Sequence, residues 1–217
     1  MTSILYRPFI DDPNDIARLE GQRYVVLRPT GVVPDVHGHV RSLIKKQLAN
    51  CEVSYPAQAH VMLSGFPKGT HLESVRELVA QWARSIAPLR VEVERISYFP
   101  APFQIVIVQV MKTTELFEAS AALRARAKQR ELGDVAVVSP TDWIFHMSVA
   151  YCSSLSGPAW SAVTRIVETL AVPTAQCVVG DVEIVAFDDR QEYSGGVFEL
   201  SARGVASVSV PPREGAV

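Results

Sequence analysis

Apolar positions in this chain switch repeatedly between a spacing of two and a spacing of three to four, and the switches outline its elements. Residues 23–28 (RYVVLR) are rich in β-formers and predict a strand. Pro34-Asp35 opens a stretch in which Val36, Val40, Leu43, Ile44 and Leu48 recur at helical spacing. Residues 60–66 (HVMLSGF) return to strand character. Thr70 then caps a helix carrying Leu72, Val75, Leu78, Val79 and Trp82, which Pro88 closes. Residues 89–99 (LRVEVERISYF) alternate apolar and charged, as in a strand with one face in the core and one in solvent. A turn at Pro100 to Pro102 leads into a mostly apolar strand over 103–111. A helix over 114–131 precedes a strand over Trp143–Tyr151 and a helix opened by Gly157-Pro158 that carries Trp160, Val163, Ile166, Val167 and Leu170 and is closed by Pro173. One strand is predicted over 176–187, a turn over Asp188–Arg190 and a last strand over Tyr193–Ala202. Asp12-Pro13 and Gly21 bracket a short helix near the start.

The order strand–helix–strand–strand thus occurs twice, each time opening on a histidine. Leu72 lies 12 residues after His60 and Pro158 lies 12 after His146; the next strands begin 29 and 30 residues after the same histidines. Self-similarity over tens of residues is a fold signature. It predicts an α+β fold of two duplicated lobes related by a pseudo-twofold axis, with mainly antiparallel sheets forming a central cleft and helices packed outside. Residues 1–210 are expected to form one two-lobed domain with mixed lobes, and 211–217 a frayed tail.

Composition narrows the partners. The 217 residues carry a formal net charge of −2, so no basic field covers the molecule and a long duplex held through many phosphates is excluded. Three cysteines at unpatterned spacing suggest reduced thiols in a cytoplasmic protein. The acidic start does not read as a leader peptide, and no apolar run approaches the roughly 20 residues that span a bilayer. A monomer is the default.

The chemistry centres on the two histidine strands. Residues two apart in a strand share a face. His146 and Ser148 then face one way, with Phe145, Met147 and Val149 on the other. His60, Met62 and Ser64 likewise share a face. Either motif alone suits a hydrogen-bonded histidine on a half-exposed strand, but the matched positions predict two imidazoles in one groove. Such a pair suits phosphodiester cleavage, one imidazole taking a proton and the other giving one to the leaving oxygen. A hydroxyl two residues on donates to a non-bridging oxygen. Tyr151, after the second motif, is a stacking candidate. His37-Gly38-His39 near a helix start reads as a surface pair with no third metal ligand. The run of Arg124, Arg126, Lys128 and Arg130 reads as a solvated helix face.

These residues resemble the two-histidine phosphoesterase superfamily, which includes bacterial 2′-5′ RNA ligase-like proteins and cyclic nucleotide phosphodiesterases. The family is marked by two copies of His-x-Thr/Ser-x on strands of duplicated lobes. His146-Met147-Ser148-Val149 matches in full, and His60-Val61-Met62-Leu63 in part. The resemblance covers about residues 23–203. It implies a metal-independent phosphodiesterase or cyclic phosphodiesterase with no cofactor, acting on 2′,3′-cyclic phosphates, 2′-5′ linked nucleotides or short RNA ends. His60 and His146 would be the acid–base pair and Ser148 the phosphate grip. Met62 departs from the pattern, because a thioether donates no hydrogen bond. Ser64 could replace the missing donor, or Arg28 or Tyr24 on the first long strand could. Otherwise the site is weakened, and the alternative is a non-catalytic or weakly active nucleotide- or RNA-binding module. A third possibility is a metal-dependent hydrolase using His37, His39 and His60.

Overall fold

A computed structural model describes residues 19–49, 51–56, 58–135, 139–171, 173–188 and 191–202. The expected helix after Asp12, the turn at 189–190 and the terminal tail lie outside these residues.

Among the described residues, eight strands and four α-helices follow one another as β1 (Arg23–Leu27), α1 (Val32–Gln47), β2 (Val61–Phe66), α2 (Leu72–Ala83), β3 (Leu89–Phe99), β4 (Ile105–Val110), α3 (Thr114–Gln129), β5 (His146–Tyr151), α4 (Gly157–Thr169), β6 (Gln176–Val179), β7 (Asp181–Asp188) and β8 (Gln191–Glu199). They form two antiparallel four-stranded sheets, ordered β2-β1-β7-β8 and β5-β4-β3-β6. The fold is α+β, as expected. β2, which starts one residue after His60 rather than at it, and β5, which starts at His146, are each at an edge of their sheet, and these two edges lie against each other.

The sequence repeat does not map one copy to one sheet. β2 sits in the first sheet, while β3 and β4, which follow it in the chain, sit in the second. The run 176–187, expected as one strand, is two. β6 pairs with β3 in the second sheet; the chain passes Gly180 and continues as β7, paired with β1 in the first. The apolar pattern runs on because both strands are half-buried, which hides the change of sheet from a reading by periodicity.

Helices α1 and α4 pack on the second sheet, α2 on the first, and α3 touches both. One buried cluster runs through the molecule, from Val25, Leu27, Val61 and Leu63 of the first sheet to Val91, Val108, Met147 and Val149 of the second. The cap of α2 is His71 rather than Thr70, whose hydroxyl instead donates to the Pro67 carbonyl at 2.9 Å. Among the described residues no helix is long and apolar enough to cross a membrane.

Candidate active site

A cavity of about 540 Å³ opens where the two histidine edges meet. The pairing register explains which side chains reach it. On antiparallel strands, directly paired residues share a face. Val26 pairs with Met62 and Tyr24 with Gly65, and Tyr24, Val26 and Met62 all line the cavity. Between these pairs the register slips: Val25 pairs with Ser64, so Leu63 is an extra residue on β2. The β5–β4 ladder slips in the same place. Ile107 pairs with Ser148 and Val106 with Ala150, leaving Val149 extra. Each histidine strand therefore bulges three residues after its histidine, and the bulge residue, Leu63 or Val149, is buried in the core.

The bulges decide two of the expected site residues. Strict alternation puts Ser64 on the face of His60. The bulge turns it to the core side, opposite fully buried Val25, and its hydroxyl is buried without a hydrogen-bond partner among the described residues. Ser64 therefore does not line the cavity. On β5 the same slip brings Tyr151 round to the cavity, where strict alternation would turn it away. His60, His146, Ser148 and Tyr24 also line it. Arg28 does not. It lies past the end of β1, its Nε 2.8 Å from Glu183 and its Nη2 2.6 Å from Glu192. Burial opposes its charge, and the two carboxylates outweigh that and keep it charged.

Both imidazoles are half-buried and anchored alike. The Nδ1–H of His60 donates to the Gln58 carbonyl at 3.2 Å, and that of His146 to the Ile144 carbonyl at 2.8 Å. A carbonyl only accepts, so in the neutral ring the proton sits on Nδ1 and the basic nitrogen is Nε2. His146 also packs edge-on against Phe99, with ring centroids 5.0 Å apart. Burial, then the charge of Arg28 and, further down, that of His146, pull His60 down to about 3. Burial lowers His146 as well. Tyr24 is held well above the ordinary phenol range, mainly by burial and then by Tyr151.

Several lining residues were not singled out from sequence. Val185 and Phe187 of β7 sit beside Val26 in a small buried cluster, and Phe103 and Ile105 line the cavity from the β3–β4 side. Phe103 is 65% exposed. Being apolar, they are indistinguishable in sequence from core positions.

His37 is a correction. It is buried rather than on the surface, and its Nε2 lies 2.8 Å from the Ser148 carbonyl, tying α1 to the bulged part of β5. His39 is exposed. Among the described residues no group of three or more His, Cys, Asp or Glu could hold a metal ion, so His37, His39 and His60 do not form one. The arginines of α3 are engaged elsewhere: Arg124 with Asp134 at 2.7 Å, Arg126 with Ser85 and Arg130 with Gln81.

The family model described as the 2′-5′ RNA ligase superfamily matches residues 32–191. No curated protein matches the chain significantly. Among solved structures it is similar to TT0787 of Thermus thermophilus, with 18% identity, 84% of this chain and 99% of that one covered, and a TM-score of 0.59. It is also similar to E. coli LigT in apo form (11% identity, 83% and 98% covered, TM-score 0.56) and to Kluyveromyces marxianus Usb1 (11%, 83% and 98%, 0.51). E. coli LigT has also been crystallised with 3′-AMP and with ATP. At these identities the likeness shows the fold.

Proposed function

Because the chain belongs to the 2′-5′ RNA ligase superfamily, we propose that it is a phosphodiesterase or cyclic phosphodiesterase, acting on a 2′,3′-cyclic phosphate or a 2′-5′ linked nucleotide by two-histidine acid–base catalysis. The observation that carries the reading is the shared cavity, lined by two imidazoles that each present Nε2 as the basic nitrogen. The nucleotide complexes of LigT support a ligand of that class.

In the hydrolytic direction His60, strongly held neutral, takes a proton from water through Nε2 as the water oxygen bonds to phosphorus. His146 gives its Nε2 proton to the ribose oxygen as the P–O bond breaks. The anionic phosphate favours the charged imidazole, offsetting the effect of burial on His146. Ser148, which lines the cavity between the two strands, donates its hydroxyl to a non-bridging oxygen. The two rings supply both proton transfers, so the scheme calls for no metal.

The test is hydrolysis of 2′,3′-cyclic nucleotides and 2′-5′ dinucleotides with and without a chelator. His60→Ala and His146→Ala should each lower the rate by about 10²–10⁴, the usual worth of a positioned acid or base, with the chelator without effect. Unchanged rates in both variants would refute the mechanism. Met62 favours a second reading, a nucleotide binder without turnover, because its lobe lacks the hydroxyl donor present at Ser148. Affinity for a cyclic nucleotide with no product formed would select it.

A further inference from the structure

Each of the two bulges receives a hydrogen bond from a helix. A bulge disrupts the ladder around its extra residue, and buried carbonyls near it need donors from elsewhere. On β2 the donor is Ser120 of α3, whose hydroxyl lies 2.6 Å from the carbonyl oxygen of Leu63, the bulge residue. On β5 it is His37 of α1, whose Nε2 lies 2.8 Å from the carbonyl oxygen of Ser148, the residue just before the bulge. Both donors are 4% exposed, so water competes little for either bond.

The two bonds hold different things. Leu63 is buried in the core, so the Ser120 bond secures packing. Ser148 lines the cavity, so the His37 bond secures the backbone of a residue that faces a ligand. The Ser148 carbonyl and Cβ leave the same Cα, and fixing the first restricts where the second, with its hydroxyl, can point. A carbonyl only accepts, so His37 carries its proton on Nε2; the imidazolium carries one there too, and the bond survives a change in the ring's charge. Three residues on, β5 is held again by backbone bonds between Tyr151 and Ser54, at 2.9 and 3.2 Å. Helix α1 and the segment after it thus fix β5 on both sides of its bulge.

We propose that His37 is a positioning residue: its bond to the Ser148 carbonyl aims the Ser148 hydroxyl at the phosphate, so that a helix residue acts on the reaction through Ser148 and not by touching substrate. This rests on the phosphodiesterase reading above and adds a residue to its machinery. Misplacing a reacting or stabilising group by about 1 Å can cost about 10²-fold in rate, which sets the scale of the expected effect.

The experiment is a double-mutant cycle on the full-length protein. His37→Leu removes the donor and His37→Gln keeps one near the place of Nε2; each is made with Ser148 intact and with Ser148→Ala. Turnover is measured with adenosine 2′,3′-cyclic phosphate, and affinity with 3′-AMP, which has no diester bond to break. With Ser148 intact, His37→Leu should lower kcat by about 10–10²-fold, and His37→Gln should recover most of that loss. With Ser148→Ala, His37→Leu should change kcat by less than about twofold, because no hydroxyl is left to aim. If leucine abolishes the cooperative melt, His37→Asn, whose amide is too short for the carbonyl, takes its place. No loss in kcat, equal losses in both backgrounds, or no recovery with glutamine overturns the inference and leaves His37 a packing residue. Coupling of the same sign in 3′-AMP affinity, with no turnover by the unaltered protein, refutes the catalytic reading alone and leaves the positioning role standing. Neither turnover nor binding overturns both.

Discussion

The two walls of the cleft share a backbone and divide its chemistry. Each is an edge strand with a histidine at its start, His60 just before β2 and His146 as the first residue of β5; the histidine anchors Nδ1 on the carbonyl two residues back, and the strand bulges at the third residue after it. The side chains at matching positions differ. Met62 stands on one wall where Ser148 stands on the other. Gly65 matches Tyr151, and across the ladders Tyr24 matches Ile105, so each wall carries one tyrosine at this level but on opposite strands of its pair. An arginine with two carboxylates lies near His60, a phenylalanine beside His146. The lesson is that backbone symmetry sets where two imidazoles go, while side-chain asymmetry gives each a separate task.

Outside the histidines themselves, the largest expected effect comes from truncating the two matched positions. Ser148→Ala should lower kcat by about 10²–10³, the usual cost of one donor to a developing oxyanion. Met62→Ala should leave kcat within about tenfold and act on KM, because it removes apolar contact only. Equal losses in kcat would erase the proposed division of labour. Next comes the glycine–tyrosine exchange. A Cβ at position 65 would collide with Val135 Cγ2 and lie 2.8 Å from Tyr24 Cε1. Gly65→Ala should therefore destabilise the fold by about 1–3 kcal/mol and displace Tyr24, read as a drop in melting temperature. A variant as stable as the parent would show that Tyr24 has room to move. The smallest effect is in the pH profile. The base must be neutral, so kcat/KM rises until His60 has lost its proton, at about 3. The acid must be protonated, so kcat/KM falls above the pKa of His146, which lies below the usual 6.5. The optimum of kcat/KM belongs on the acid side of neutrality, and that of kcat at higher pH, because bound phosphate favours the imidazolium. Coincident optima above pH 7 would contradict a pair of histidines both held below their ordinary value.

The repeat, the histidine strands and most elements were legible in the sequence because hydrophobic periodicity reports burial, and burial is what secondary structure answers to locally. Strand parity was legible only up to the first irregularity. A single bulge in each wall removed Ser64 from the cavity and brought Tyr151 into it, and no residue type in HVMLSGF or HMSVAY announces an extra residue in a ladder. His37 escaped for a similar reason: its partner is a backbone carbonyl 111 residues away.

By itself, then, the chain determined two copies of one local pattern and the two imidazoles that open them, since these follow from side-chain spacing along a single strand or helix. Only the tertiary structure decided that the copies exchange strands between sheets at Gly180, that the two histidine edges meet, and that Val26, Met62 and Val185 line the cleft beside His60. Those outcomes depend on pairing between distant strands, where register is chosen by what each face buries against its neighbour rather than by any residue's own preference.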